Sequence, residues 1–171
     1  MSTSGAVVVM GVAGAGKTAV GRALGAAVGW RFVEADDFHS AENVARMHAG
    51  VPLTDEDRAP WLEALRIELT HALHAGEHIV LACSALRHSY RVALVPQSAA
   101  IGWLQFVYLR ASESLLHERL ERRTGHYAGV TLLASQLQTL EEPADALWVD
   151  ASRPVAEIVG FICQRLELPC A

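Results

Sequence analysis

Short, largely apolar runs alternate along the chain with longer stretches in which apolar positions recur every three or four residues. The short runs lie at 6–10, 31–34, 78–83, 104–109 and 147–150. Their length and their Val, Ile and Leu content predict strands, buried on both faces where the run is continuous. Helices are predicted between and after them, at 17–28, 41–49, 55–75, 87–94, 112–123, 131–140 and 155–166. Leu62, Leu65, Leu69 and Leu73 stripe the third of these at helical spacing, which marks a core face. Strands alternating with helices predict a three-layer α/β/α fold around a five-stranded parallel sheet. No repeat, low-complexity tract or linker divides the pattern, so 1–171 reads as one domain.

Ligands of such sheets sit at the carboxyl ends of the strands, so the residues after each run carry the chemistry. The first run, AVVVM, passes directly into Gly11-Val12-Ala13-Gly14-Ala15-Gly16-Lys17-Thr18. This matches G-x-x-x-x-G-K-[ST], a phosphate-binding loop. Its glycines let successive backbone N–H groups turn inward around phosphate oxygens. Lys17 is placed for the β- and γ-phosphates and the Thr18 hydroxyl for Mg²⁺, and the helix that follows points its positive end at the same anion. Four fixed positions match by chance in roughly one chain of this length in a few hundred. A preceding buried strand and a following Ala-rich helix argue further against accident.

The second run ends in Glu34-Ala35-Asp36-Asp37-Phe38-His39, three carboxylates and a histidine beside the phosphate loop. One carboxylate there can accept a proton from a substrate hydroxyl and another can hold a Mg²⁺-bound water. A helix cap accounts for one acid but not for all three. Thr54 and Asp57 have the spacing of a capping box, which leaves Arg58 as a surface charge or an anion ligand. The third run ends in Cys83-Ser84, where a motor ATPase usually carries a Mg²⁺-binding Asp. Ser84, Arg87 and Arg91 fit a polar, cationic substrate site, with a solvated helix face as the alternative for each arginine. Arg119 and Arg123 lie four apart on one helix face before a Gly-containing break, as expected of a lid spanning about 119–140 that brings arginines onto transferring phosphates. Glu118 and Arg122 fit a surface ion pair instead. The last run ends in Asp150; because it is the final strand no Mg²⁺ is assigned to it. The following Arg153-Pro154 loop is placed to pack on a nucleotide base, with Pro154 also suited to the first helical position.

Composition narrows the picture little. The chain is 51% hydrophobic and 19% charged, which suits a folded protein. A net charge of −5 disfavours a nucleic-acid partner. Cys83, Cys163 and Cys170 lack metal-ligand spacing and are expected to be buried or terminal thiols. No signal-peptide pattern or membrane-length apolar stretch occurs, so a soluble cytoplasmic protein is expected. No N-K-x-D guanine-reading motif is present, which disfavours a GTPase.

Several segments together resemble the small gluconokinases, relatives of shikimate kinase and the nucleoside monophosphate kinases. They are MGVAGAGKT, ADDFH with AENVARMHAGVPLTDEDRAPWL, CSALRHSYR, FVYLR, RLERRTGHY and SQLQTLEEP, in family order over most of the chain. The resemblance implies a P-loop kinase fold with a helical lid, and phosphoryl transfer from ATP, with Mg²⁺, to the 6-hydroxyl of D-gluconate. It implies that Gly11, Val12, Ala13, Gly14, Ala15, Gly16 and Lys17 hold the ATP phosphates and that Thr18 binds Mg²⁺. Asp36 would orient or deprotonate the substrate hydroxyl. His39, Arg58, Ser84, Arg87, Arg91 and His126 would line the gluconate site, one arginine pairing the carboxylate. Arg119 and Arg123 would come from the lid, Arg123 acting in catalysis, and Arg153 and Pro154 from the base loop. Glu34 stands where related kinases typically have Asp, so the base role falls to Asp36 and Glu34 is kept for the metal. The family is commonly dimeric, which implies a homodimer. Another small-metabolite kinase of the same fold, such as one acting on shikimate, and a nucleotide-binding switch protein are the competing readings.

Overall fold

The computed structural model describes residues 4–124 and 127–171. Its sheet has five parallel strands in the order β2-β3-β1-β4-β5. These are β1 (Ala6–Met10), β2 (Arg31–Glu34), β3 (Ile79–Ala82), β4 (Leu104–Arg110) and β5 (Leu147–Asp150). Burial follows position in the sheet. Every residue of β1 and β3 is buried, whereas the edge strands β2 and β5 each bury only one residue fully. Central parallel strands covered on both faces have no solvent side, which is why AVVVM and IVLA contain no polar residue.

Among the described residues seven α-helices complete the layers: α1 (Lys17–Val28), α2 (Ala41–His48), α3 (Asp55–Ala75), α4 (His88–Leu94), α5 (Glu113–Thr124), α6 (Tyr127–Thr139) and α7 (Val155–Leu166). The step from β1 to β2 runs the opposite way across the sheet from the three later steps. Right-handed crossovers therefore place α1 on one face and the connecting helices of the later steps on the other. The packing agrees, with α1 against α7 and α3 against α4. The direction of travel reverses beside β1, and there a cleft opens at the carboxyl ends of the strands. Register brings the ends level: Glu34 pairs with Ala82, Val9 with Ala82, and Met10 with Tyr108.

Most predicted boundaries lie within a residue or two of those found. The exception is α6, which starts at Tyr127 and includes Gly129, where the sequence reading begins at 131. A helical glycine costs about 1 kcal/mol relative to Ala, and packing of the helix overrides that preference. A short 3₁₀ turn, Ala35–Phe38, follows β2 and is absent from the sequence reading. Cys83 is a buried free thiol, as expected. Cys163 and Cys170, expected as thiols, are instead joined as a disulfide. The cause is local: Glu167 takes a left-handed conformation at the end of α7, and Leu168 N–H donates to the Cys163 carbonyl, folding the tail back. Pro154 caps α7 rather than occupying its first turn.

Candidate active site

The phosphate loop carries three glycines at positive φ, the first being Gly11 (φ 153°). Gly14 (φ 85°) and Gly16 (φ 97°) lie in the left-handed region that other residues avoid. A side chain at Gly14 would also meet the Leu116 carbonyl at 3.1 Å. Gly16 is the N-cap of α1, and no side chain caps that helix. Its first turn carries no acid either, so the positive end of α1 is left for an anion from outside the helix. Lys17 Nζ donates to the Val12 carbonyl at 3.0 Å, which folds the side chain over the loop. Burial lowers the Lys17 pKa, while the Asp36 and Glu34 carboxylates oppose the shift.

Beside this loop, Thr18 Oγ1 donates to Glu34 Oε2 at 2.5 Å. Burial raises the Glu34 pKa, and the hydrogen bond from Thr18 counteracts it. Among the described residues no cluster of three metal-ligating side chains exists. Mg²⁺ takes one or two hard oxygen ligands from a protein and the rest from phosphates and water, and the Thr18 hydroxyl and Glu34 carboxylate, in contact beside the phosphate loop, are hard oxygen groups.

The 3₁₀ turn presents Asp36 into a cavity of about 630 Å³ that Ala13, Gly14, Gly16, Lys17 and Thr18 also line. Trp61, on α3, holds this turn in place: its Nε1–H donates to the Ala35 carbonyl at 2.7 Å. The Trp61 ring stacks on His39 with centroids 4.3 Å apart. His39 Nδ1 is buried without a hydrogen-bond partner. Burial, aided by Arg58, lowers the His39 pKa, against the attraction of Asp36. His39 lines the cavity, and its Nδ1 is an unused polar atom there. Glu34, Arg58, Ser84 and Arg123 also line the cavity.

The three arginines grouped around the substrate site have separate fates. Arg58 lines the cavity, with one nitrogen bonded to the Leu53 carbonyl (2.6 Å) and the Tyr90 hydroxyl (3.2 Å). Arg87 lies outside the lining and pairs with Asp55 at 3.2 Å. Arg91 is only 4% exposed and donates to the carbonyls of Ala85, Leu86 and Glu141. It corrects the sequence reading, because its guanidinium braces backbone and does not reach the cavity. The braced segment includes Ala85, a non-glycine residue in the left-handed region (φ 46°), immediately after Ser84.

The capping box forms as expected: Asp57 N–H donates to Thr54 Oγ1 and Thr54 N–H to Asp57 Oδ2. Asp57 also takes two hydrogen bonds from Arg46, tying α2 to α3 beside the cavity. On α5, Glu118 and Arg122 pair on the surface. Arg119 donates to the Gly14, Ala15 and Ala151 carbonyls, the last at 2.6 Å, and so joins the phosphate loop to the loop after β5. Arg153 lies in that loop, beside a second hollow of about 190 Å³ with Trp148 and Phe161, outside the main cavity. Gly11, Val12 and Ala15 shape the phosphate loop without lining the cavity, and Pro154 does not line it either. His126 lies outside the described residues. Sequence reasoning missed two site residues. Trp61 sits inside a stretch singled out above, next to a leucine stripe that disguises it as core. Gln136, on α6, accepts the Ala13 N–H at 2.6 Å across 123 residues of sequence, a pairing with no local signal.

A family described as an AAA domain matches residues 7–152. The chain is 47% identical to a gluconokinase of Gluconobacter oxydans (strain 621H) over 154 residues, covering 90% of this chain and 82% of that one. The chain belongs to the gluconokinase family. A probable gluconokinase of Mus musculus is 38% identical over 98% of this chain and its own full length. Among solved structures, a gluconokinase from Sinorhizobium meliloti 1021 superposes with a TM-score of 0.85 at 44% identity, covering 98% of this chain and 94% of that one.

Proposed function

We propose that this gluconokinase-family protein transfers the γ-phosphoryl group of ATP to the 6-hydroxyl of D-gluconate. The observation that carries the reading is the shared cavity, in which a phosphate loop, the Asp36 carboxylate and the Arg58 guanidinium all take part. The loop N–H groups and Lys17 hold the triphosphate. Arg58 takes the gluconate carboxylate because it lines the cavity, whereas Arg91 is buried on backbone and Arg87 lies outside the lining; Asp55 lies within ion-pair reach of both Arg87 (3.2 Å) and Arg58 (3.9 Å). Ser84 and His39 contact the polyol.

In the reaction, the 6-hydroxyl oxygen attacks the γ-phosphorus while its proton passes to Asp36. The bond from the γ-phosphorus to the β,γ-bridging oxygen breaks, and ADP leaves. Lys17 and Arg123 neutralise charge that builds on the phosphoryl oxygens. Thr18 would ligate Mg²⁺ and Glu34 one of its waters; when bound, the ion would offset the negative charge of the phosphates. α5 and α6 serve as the lid, with Arg119 and the loop at 153–154 near the base. His126 is assigned to substrate binding. The homodimer implied by the family and a cytoplasmic setting belong to the same reading, and light scattering of the purified protein tests the first.

A coupled ADP-release assay with ATP and Mg²⁺ tests the function against D-gluconate, shikimate, glucose, glycerate and AMP. Gluconate-selective turnover is expected. Turnover on shikimate instead would reassign the substrate, and nucleotide hydrolysis unaffected by every compound would favour a switch protein.

A further inference from the structure

The proposed chemistry gives no residue of the segment SQLQTLEEP a role of its own. Gly129, Leu132 and Gln136 fall on one face of α6 and line the cavity. From that face Gln136 Oε1 accepts the Ala13 N–H at 2.6 Å. Ala13 belongs to the phosphate loop, whose N–H groups cradle phosphate oxygens. The glutamine oxygen therefore sits where a phosphate oxygen is expected. Just beyond α6, the chain is fixed at the opposite side of the cavity. Glu141 N–H donates to the Leu86 carbonyl at 2.8 Å, its carboxylate accepts the His88 N–H at 3.0 Å, and its carbonyl accepts Arg91. α6 thus has an anchored carboxyl end and, one turn earlier, a hydrogen bond to the phosphate loop that a phosphate oxygen can replace.

We propose that Gln136 is a positioning residue that couples α6 to occupancy of the phosphate loop. Its amide oxygen holds the Ala13 N–H in the nucleotide-free protein, and the phosphate chain of ATP displaces it. A charged phosphate oxygen is a stronger acceptor than a neutral amide, so the exchange runs toward bound nucleotide. Displacement frees α6 to pivot on its Glu141 anchor. This inference rests on the reading that the loop binds ATP.

The test is titration calorimetry of a non-hydrolysable ATP analogue with Mg²⁺ into the wild type, Gln136→Leu and Gln136→Glu. Removing the competing acceptor in Gln136→Leu is expected to tighten binding about two- to tenfold, the equivalent of one net hydrogen bond. Gln136→Glu keeps an acceptor and adds a negative charge beside the phosphates, so it is expected to weaken binding. A residue that merely packs would weaken binding in both variants, and that pattern overturns the proposal. Unchanged affinity in Gln136→Leu overturns it equally. Hydrogen exchange supplies a second readout: wild-type α6 amides change protection on adding the analogue, and the change shrinks in Gln136→Leu. An identical change in both proteins overturns the coupling. If the wild type binds no nucleotide, the ATP reading falls first and this inference with it; binding by the wild type separates the two failures.

Discussion

Replacing Arg58 is the sharpest probe of the substrate assignment. Its side chain is 14% exposed, so a carboxylate bound there is largely shielded from competing water. Both protons of Nη1 are engaged by the Leu53 carbonyl and the Tyr90 hydroxyl. That leaves the Nη2 and Nε donors for a ligand, enough for a two-pronged carboxylate contact. Such a charge-assisted contact is worth about 2–3 kcal/mol net. Arg58→Met should therefore raise KM for gluconate by about 30–150-fold. The carboxylate lies at the far end of gluconate from the 6-hydroxyl, so the contact is equally strong in ground and transition states, and kcat should change much less. Arg58→Lys, which keeps the charge but loses the fork, should fall between. The assay is coupled ADP release over a gluconate range, repeated with glucose, which lacks the carboxylate. Activity on glucose should respond little. Thermal melting controls for the brace on Leu53. A fall in kcat at unchanged KM, or an equal loss on both sugars, would refute the assignment.

Other perturbations test the rest of the site. Asp36→Asn should lower kcat by about 10²–10⁴-fold, the usual contribution of a general base, with little change in melting temperature; near-normal kcat would remove Asp36 from the base role. Trp61→Phe keeps the stack on His39 but deletes the bond to the Ala35 carbonyl, and should lower kcat about three- to tenfold by loosening the turn that carries Asp36; unchanged kinetics would show that the turn holds itself. Glu34 has its pKa raised by burial, so the folded state binds its proton more tightly than the unfolded chain. Its contribution to stability is complete at acidic pH and is lost as pH rises through the raised value. Nucleotide-free Glu34→Gln should therefore melt higher than wild type at pH 7 to 8, with the gain vanishing toward pH 4, and should need more Mg²⁺ for activity; a pH-independent difference would contradict the argument. Arg91→Met should cost about 3 kcal/mol, because three backbone carbonyls lose their donor. For a chain of this size that is a fall in melting temperature of about 6–12 °C, measurable by calorimetry.

Strand and helix identity were legible because hydrophobic period and burial coincide. AVVVM must be a central strand, since nothing polar in it can face water, and the phosphate loop must then emerge at the carboxyl edge. The capping box at Thr54 and Asp57 was legible for the same reason: both partners lie within four residues. What escaped depends on pairs far apart in sequence. The arginines show this most clearly. Arg58, Arg87 and Arg91 are chemically identical, and helix position alone could not rank them. Only the fold sends one into the cavity, one onto Asp55 and one onto buried carbonyls.

Arg91 follows from a strained backbone. Ala85 adopts a conformation that costs an alanine about 1–2 kcal/mol, and Arg91 bonds the carbonyls of that residue and the next. The strain lies immediately after Ser84, so the arginine fixes a cavity residue without touching the cavity. Trp61 works in the same manner on the 3₁₀ turn that carries Asp36. Both lie in stretches that sequence reading identifies as characteristic, CSALRHSYR and GVPLTDEDRAPWL. Such stretches therefore contain two kinds of residue: those placed to meet substrate, and those that hold them there. A sequence shows that the stretch matters, but burial and hydrogen-bond direction decide which kind each residue is. An arginine whose Nη1 and Nη2 groups end on backbone carbonyls, as those of Arg91 do, belongs to the second kind.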